Sequence, residues 1–150
     1  MNKTETFRKK FLEKHPDYAE RKCTSWHFCN DRESADNLLK LVLDDIKHGT
    51  ASLLDSYKHD KEPVPKEGDL SIITDWEGTP HCILETVRVW IYKFSEVPES
   101  FAAIEGEGDG SLEYWRNVHD SFFREEAEEL GLSFTEDSEI ICEQFRVLFP

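Results

Sequence analysis

The run from His81 to Phe94 constrains the fold more than any other part of the chain. It crowds Ile83, Leu84, Val87, Val89, Trp90, Ile91 and Tyr92 into one stretch with partial alternation. β-branched and aromatic side chains of this kind suit a pleated, half-buried surface, so the run predicts a long strand. Asp75-Trp76-Glu77-Gly78-Thr79-Pro80 before it reads as a turn, and Asp69 to Thr74 as the preceding strand. Together they predict a long antiparallel hairpin. Ile140 to Phe149 is a second β-rich run that would close the sheet against it, and aromatic-rich Ser25 to Cys29 reads as a buried strand.

Helical periodicity interrupts these runs. Phe7, Phe11 and Leu12 fall at helical offsets between Thr4 and Lys14, and His15-Pro16-Asp17 breaks the pattern. After capping residues at Asp31 to Ser34, Leu39, Val42, Leu43 and Ile46 recur at three and four residues, and Gly49 is placed to end that helix as its C′ residue. Ser111 caps a third helix, in which Leu112, Trp115, Val118, His119, Phe122 and Phe123 follow helical spacing as far as Leu130-Gly131. Tyr57 to Gly68 and Phe101 to Gly110 read as loops. Elements of both kinds are mixed, without an internal repeat or a linker, which predicts an α+β fold in one domain.

Length and charge narrow the function classes. A chain of 150 residues fits a single domain, and such a domain buries roughly 70% of the surface its unfolded chain exposes. An aromatic fraction of 12%, with four Trp and ten Phe, supplies core material despite 33% charged residues. Thirty-two acidic against 18 basic residues give a formal charge of −14. That field repels DNA, RNA and anionic lipid, so non-specific DNA binding is not expected, while a local basic pocket can still take one nucleotide or a short strand. No apolar run suits a signal peptide or a membrane span, and Cys23, Cys29, Cys82 and Cys142 form no CxxC pair. The expectation is a cytoplasmic protein with reduced thiols. Cys23, His27 and Cys29 lack a fourth ligand at zinc-like spacing, so no metal is expected. No Walker-type or Rossmann fingerprint calls for a cofactor.

Several residues carry chemistry. Lys47 stands three residues ahead of Thr50 at the predicted helix end, setting an amine beside a hydroxyl. Such a pair can bind a phosphate or carbonyl, or act as base and nucleophile if the lysine is desolvated. Glu105 and Glu107 lie between glycines, which suits a solvated loop as well as a site. Glu85 interrupts an apolar strand and needs a partner, Arg88 or Arg146, or a role in reading a base edge. Tyr57, Trp76 and Trp115 offer faces on which a base can stack. His27, His81 and His119 carry no motif and are assigned no catalysis.

Taken in order, these segments resemble an ASCH domain of the PUA-like superfamily, in its larger bacterial branch of predicted RNA-binding proteins. The resemblance rests on Trp26-His27-Phe28, Lys47 to Leu53, Gly68-Asp69-Leu70-Ser71-Ile72-Ile73 with Asp75-Trp76 and Gly78, and Ile83-Leu84-Glu85-Thr86. It continues through Ala102 to Asp109, Ser111 to Trp115, and Cys142-Glu143-Gln144-Phe145-Arg146-Val147. It implies a small β-barrel with helices packed around it, residues 1–24 being an N-terminal helical extension, and a cleft lined by the Lys47–Thr50 segment. Relatives include an amidohydrolase that deacetylates N4-acetylcytidine, ribonucleases and RNA binders. In the amidohydrolase branch a lysine, a threonine three residues on and a downstream glutamate form the catalytic set. Lys47 and Thr50 match the first two, and Glu105 or Glu107 the third. One departure is Asp45, where the family has glycine two residues before the lysine.

The expected ligand is therefore RNA or a modified nucleoside. In the hydrolytic version Lys47 is the base, Thr50 the nucleophile, and Glu105 or Glu107 orients the lysine or relays a proton. Backbone N–H groups from Gly49 to Ser52 would hold the oxyanion. Ser52, Tyr57, Trp76, Glu85, Trp115 and Arg146 would contact substrate. The alternatives are a ribonuclease acting on single-stranded RNA and a non-catalytic RNA- or protein-binding regulatory module.

Overall fold

A computed structural model describes residues 1–150. In chain order the elements are α1 (Lys3–Lys14), a short 3-10 turn (Pro16–Tyr18), β1 (Cys23–Trp26), α2 (Arg32–Leu43), β2 (Gly49–Leu53) and α3 (Leu54–Asp60). Then follow β3 (Leu70–Thr74), β4 (Pro80–Lys93), a 3-10 turn (Phe94–Glu96), α4 (Glu99–Glu105), α5 (Leu112–Glu129) and β5 (Glu139–Phe149). The strands form one five-stranded sheet in the order β1-β3-β4-β5-β2, with β1 parallel to β3 and the other pairs antiparallel. The predicted hairpin is β3–β4, and β5 pairs along β4 from Ile83↔Phe149 to Lys93↔Glu139. Register shifts at Ile83/Leu84 and Thr86/Arg88 add local twist. The sheet curls into a half-barrel with helices packed around it, and β1 and β2 are its edges.

Apolar side chains collect in three places. Leu53, Phe94, Phe101, Trp115, Phe123, Ile140 and Cys142 fill the space between the sheet and α4–α5. Phe28, Leu39 and Val42 pack on Ile73, Cys82, Leu84 and Phe145. Phe11 of α1 is fully buried against Leu70, Ile72, Ile83 and Phe149. Each buried Phe or Leu contributes roughly 1.5–3 kcal/mol relative to exposure. No helix is long and apolar enough to cross a membrane.

Four local expectations are corrected. The second helix stops at Leu43, and the amides of Ile46 and Lys47 both return to the Leu41 carbonyl, so Ile46 falls outside the helix and is half exposed. Gly49 is no helix cap; it opens β2, a strand that the sequence did not reveal. It is glycine for want of space, since a Cβ there would lie 2.8 Å from Ile104 Cγ2 and 2.9 Å from the Glu143 carbonyl. A short helix runs into each of the two expected loops, α3 as far as Asp60 and α4 as far as Glu105. α4 ends on Gly106 with φ 66°, packed so tightly that a Cβ would meet the Ile46 carbonyl. Finally, β1 begins at Cys23 and exposes Thr24 and Ser25, while Phe28 leaves the strand to fill the core beneath α2.

Candidate functional site

The short link from α2 into β2 carries Lys47 inward, and its side chain is 1% exposed. Its ammonium donates to Glu105 Oε1 at 3.0 Å and to Glu107 Oε2 at 2.9 Å, and stands 5.3 Å from the Phe28 ring centre. Glu105 is the last residue of α4. Its second oxygen accepts from the Trp115 indole N–H and faces His119 Nε2 at 3.3 Å. Helical spacing puts His119 one turn beyond Trp115, with the rings stacked at 4.2 Å and 16°. His119 Nδ1 lies 2.8 Å from the Trp115 carbonyl. A carbonyl only accepts, so Nδ1 carries a proton and Nε2 is turned toward Glu105. Glu107 sits between Gly106 and Gly108, both left-handed at φ 66° and 58°. With 12% of its side chain exposed, it forms the rim of the group.

Electrostatics fix the charge states. Burial pushes Lys47 down, but the Glu105 and Glu107 carboxylates outweigh it and hold the amine above the ordinary lysine range. Burial would raise Glu105, yet Lys47, His119 and the Trp115 N–H keep its carboxyl below the usual range. One ammonium therefore stands between two carboxylates, the reverse of what a neutral lysine base requires. Ligand atoms of Glu105, Glu107 and His119 lie within 4.8 Å of one another and could chelate a divalent ion. The tethered ammonium already occupies the cation's place among these oxygens, so the donor set does not call for a metal.

The remaining predicted residues are placed as follows. Along β2, Ala51 and Leu53 pack in the α4–α5 core, so alternation turns Thr50 and Ser52 to the other face. There Thr50 pairs with Glu143 and Ser52 with Ile141. Thr50 shares no hydrogen bond with Lys47, whose two bonds go to the glutamates. Half-buried Tyr57 of α3 is raised by burial, with Ser52 beside it pulling the other way. Trp115 is buried and already stacked, with His119 at 4.2 Å and with Phe94 at 5.6 Å. Trp76 is 36% exposed in the β3–β4 turn, its ring 5.0 Å from His27. Glu85 is gripped by Arg21 at 2.9 Å and by Arg146 at 2.7 and 2.8 Å, which hold its carboxyl below the usual range against burial. Arg88 instead lies over Trp90. The Glu85 pair and Trp76 share no hydrogen bond or ion pair with the Lys47 group.

Sequence reading missed His119 and Glu143. The first stands out only by its position one turn after Trp115. The second is a charged side chain inside Ile140-Ile141-Cys142-Glu143, where an apolar residue suits a buried strand better. A surface hollow lies along α1 between Met1, Glu5, Arg8 and Leu12, and no residue of either cluster lines it.

The profile of the ASCH domain matches residues 24–149. The fold is similar to the crystal structure of an ASCH domain from Lactobacillus crispatus JV V101, with TM-score 0.92 and 33% identity over 99% of this chain and 95% of that one. It is similar to protein EF3133 from Enterococcus faecalis V583, with TM-score 0.86 and 35% identity over 97% and 87% of the two chains. Hypothetical protein PH0355 shares the fold alone, with TM-score 0.55 and 16% identity over 85% and 99%. No curated protein matches the sequence.

Proposed function

The chain belongs to the ASCH domain family, and from that premise we propose that it binds a modified pyrimidine nucleoside at the open edge of β2 and hydrolyses the acyl group from an N4-acylated cytidine. One observation carries this reading: the Lys47 ammonium is closed between Glu105 and Glu107 at the mouth of the edge strand that bears Thr50. An amine, a hydroxyl and carboxylates are the groups that amide hydrolysis uses. Lys47 precedes β2 by two residues and Thr50 is the second residue of that strand, so a ligand held by the one can present a substituent to the other.

Within this scheme Lys47 acts as a charged donor. Two of its three N–H groups go to the glutamates, leaving one for the ring carbonyl of the pyrimidine, which turns the substituted end of the base toward Thr50. Glu107, on the rim, keeps Lys47 charged, and Thr50 attacks the acyl carbon. The overall charge of −14 favours a nucleoside over a long RNA, since each added phosphate meets a repulsive field.

The test is to incubate folded wild type and Lys47→Met with N4-acetylcytidine, related acylated nucleosides and a short single-stranded RNA, and to separate the products by chromatography. Release of cytidine by wild type, falling about 100-fold in Lys47→Met as the base loses its anchor, is the expected result. Strand cleavage with the nucleosides untouched would replace this reading with a ribonuclease, and no turnover anywhere would leave a binding module.

A further inference from the structure

Glu143 differs from the other buried carboxylates. Glu85 has two arginines and Glu105 has Lys47, Trp115 and His119, whereas Glu143, 7% exposed, accepts one hydrogen bond, from the Thr86 hydroxyl at 3.1 Å on Oε1. No cation pairs with it directly. Lys22 is exposed and reaches Asp69 at 4.0 Å, and Asp69 is itself buried beside Glu143. Tyr57 of α3 is near enough to feel the charge of the same carboxyl. Burial pushes Glu143 up to about 7; Thr86 and Lys22 pull down while Asp69 pushes up. A buried carboxyl in this range is poised to take and return a proton at neutral pH.

What faces it is the hydroxyl assigned to the chemistry. Thr50 and Glu143 are direct cross-strand partners on the face of β2 turned away from Ala51 and Leu53. Directly opposed side chains in an antiparallel pair have Cβ atoms about 5 Å apart; the Thr50 hydroxyl makes no hydrogen bond to Glu143 here, and a rotation of its side chain is what would bring Oγ onto the free oxygen. Oε2 of Glu143 accepts no hydrogen bond from the protein.

We propose that Glu143 is the general base and acid of the hydrolysis and that Thr50 is its nucleophile, with Lys47 confined to holding the base. This assignment rests on the hydrolytic reading and deepens it. In acylation the Glu143 carboxylate takes the Thr50 Oγ proton as Oγ bonds to the acyl carbon. The C–N4 bond then breaks, and the amino group of the departing cytidine takes that proton from Glu143. In deacylation Glu143 takes a proton from water as its oxygen bonds to the acyl carbon, the ester C–O bond breaks, and Thr50 Oγ regains the proton. The carboxylic acid leaves, no electrons are transferred, and the carboxylate is restored.

The experiment follows kcat/KM for N4-acetylcytidine from about pH 5 to about pH 9 in wild type, Glu143→Gln and Glu143→Asp, with circular dichroism to establish folding. In wild type the rate should rise about tenfold per pH unit and level off near 7, where the base is ionised. Glu143→Gln should lose about 10²- to 10⁴-fold together with that step. Glu143→Asp should keep a step at a shifted pH. A folded Glu143→Gln that keeps the wild-type step, or loses under about tenfold, overturns the assignment and leaves the hydrolytic reading standing. If Glu143→Gln does not fold, an unshifted step in Glu143→Asp overturns it. No turnover by wild type removes the hydrolytic reading and the assignment with it.

Discussion

Replacing Glu143 with glutamine should stabilise the fold at pH 8 while changing it little at pH 5. Burial raises this carboxyl from an ordinary 4.5 to about 7. For an acid displaced upward, the folded state favours the protonated form. Its contribution to stability is therefore intact below about 4.5 and is lost as pH rises through about 7. At about 1.4 kcal/mol per unit, linkage over that interval removes about 2–3 kcal/mol of wild-type stability between pH 5 and pH 8. Glutamine cannot ionise, yet it still accepts from the Thr86 hydroxyl. Urea denaturation of both proteins at several pH values reads the effect as a difference, in which the other carboxylates cancel. The gap between variant and wild type should open by about that amount across the interval. A gap that stays constant with pH would refute the reasoning, because it would mean Glu143 titrates alike in folded and unfolded chains.

Three further outcomes follow from the same structure. Lys47→Met should destabilise the fold by about 3–5 kcal/mol, since it leaves Glu105 and Glu107 buried without their cation, and adding Glu105→Gln should recover part of that loss in chemical denaturation. The Glu105 carboxyl is held below its ordinary range, so its contribution is present above about 4.5 and disappears as pH falls through the lowered value; Glu105→Gln should accordingly flatten the acid limb of a stability–pH curve. Gly49→Ala should cost about 1–3 kcal/mol by thermal or urea unfolding, because the new methyl meets the Glu143 carbonyl, which is held within the sheet.

The sheet was legible because its residues are locally consistent. Val, Ile, Trp and Tyr between His81 and Lys93 favour a strand wherever it packs, and Asp75 to Pro80 supplies the turn. β2 was hidden because Thr50-Ala51-Ser52 carries no strand signal of its own. Only pairing with β5 and the absence of room for a Cβ at Gly49 make it a strand. α4 was masked in a similar way, its apolar face Phe101, Ala102 and Ile104 being read together with the glycines that follow. Lys47, Glu105 and Glu107 were named from the sequence, but their closure into one buried group depends on α4 docking against the start of β2. The direction of the Lys47 shift could not be read at all, since it depends on two carboxylates 58 and 60 residues away outweighing burial. Glu143 escaped notice for a related reason: its importance lies in the register that sets it across from Thr50, and register is a property of the folded sheet.

The central claim is that Thr50, at the open edge of the half-barrel, is the nucleophile that deacylates a modified cytidine. Its most direct test is the release of cytidine and acetate from N4-acetylcytidine by wild type and Thr50→Val, with thermal unfolding measured on both. The account predicts equal release of the two products by wild type and none by a Thr50→Val protein of unchanged stability. It is contradicted if wild type releases nothing, or if Thr50→Val releases cytidine at the wild-type rate.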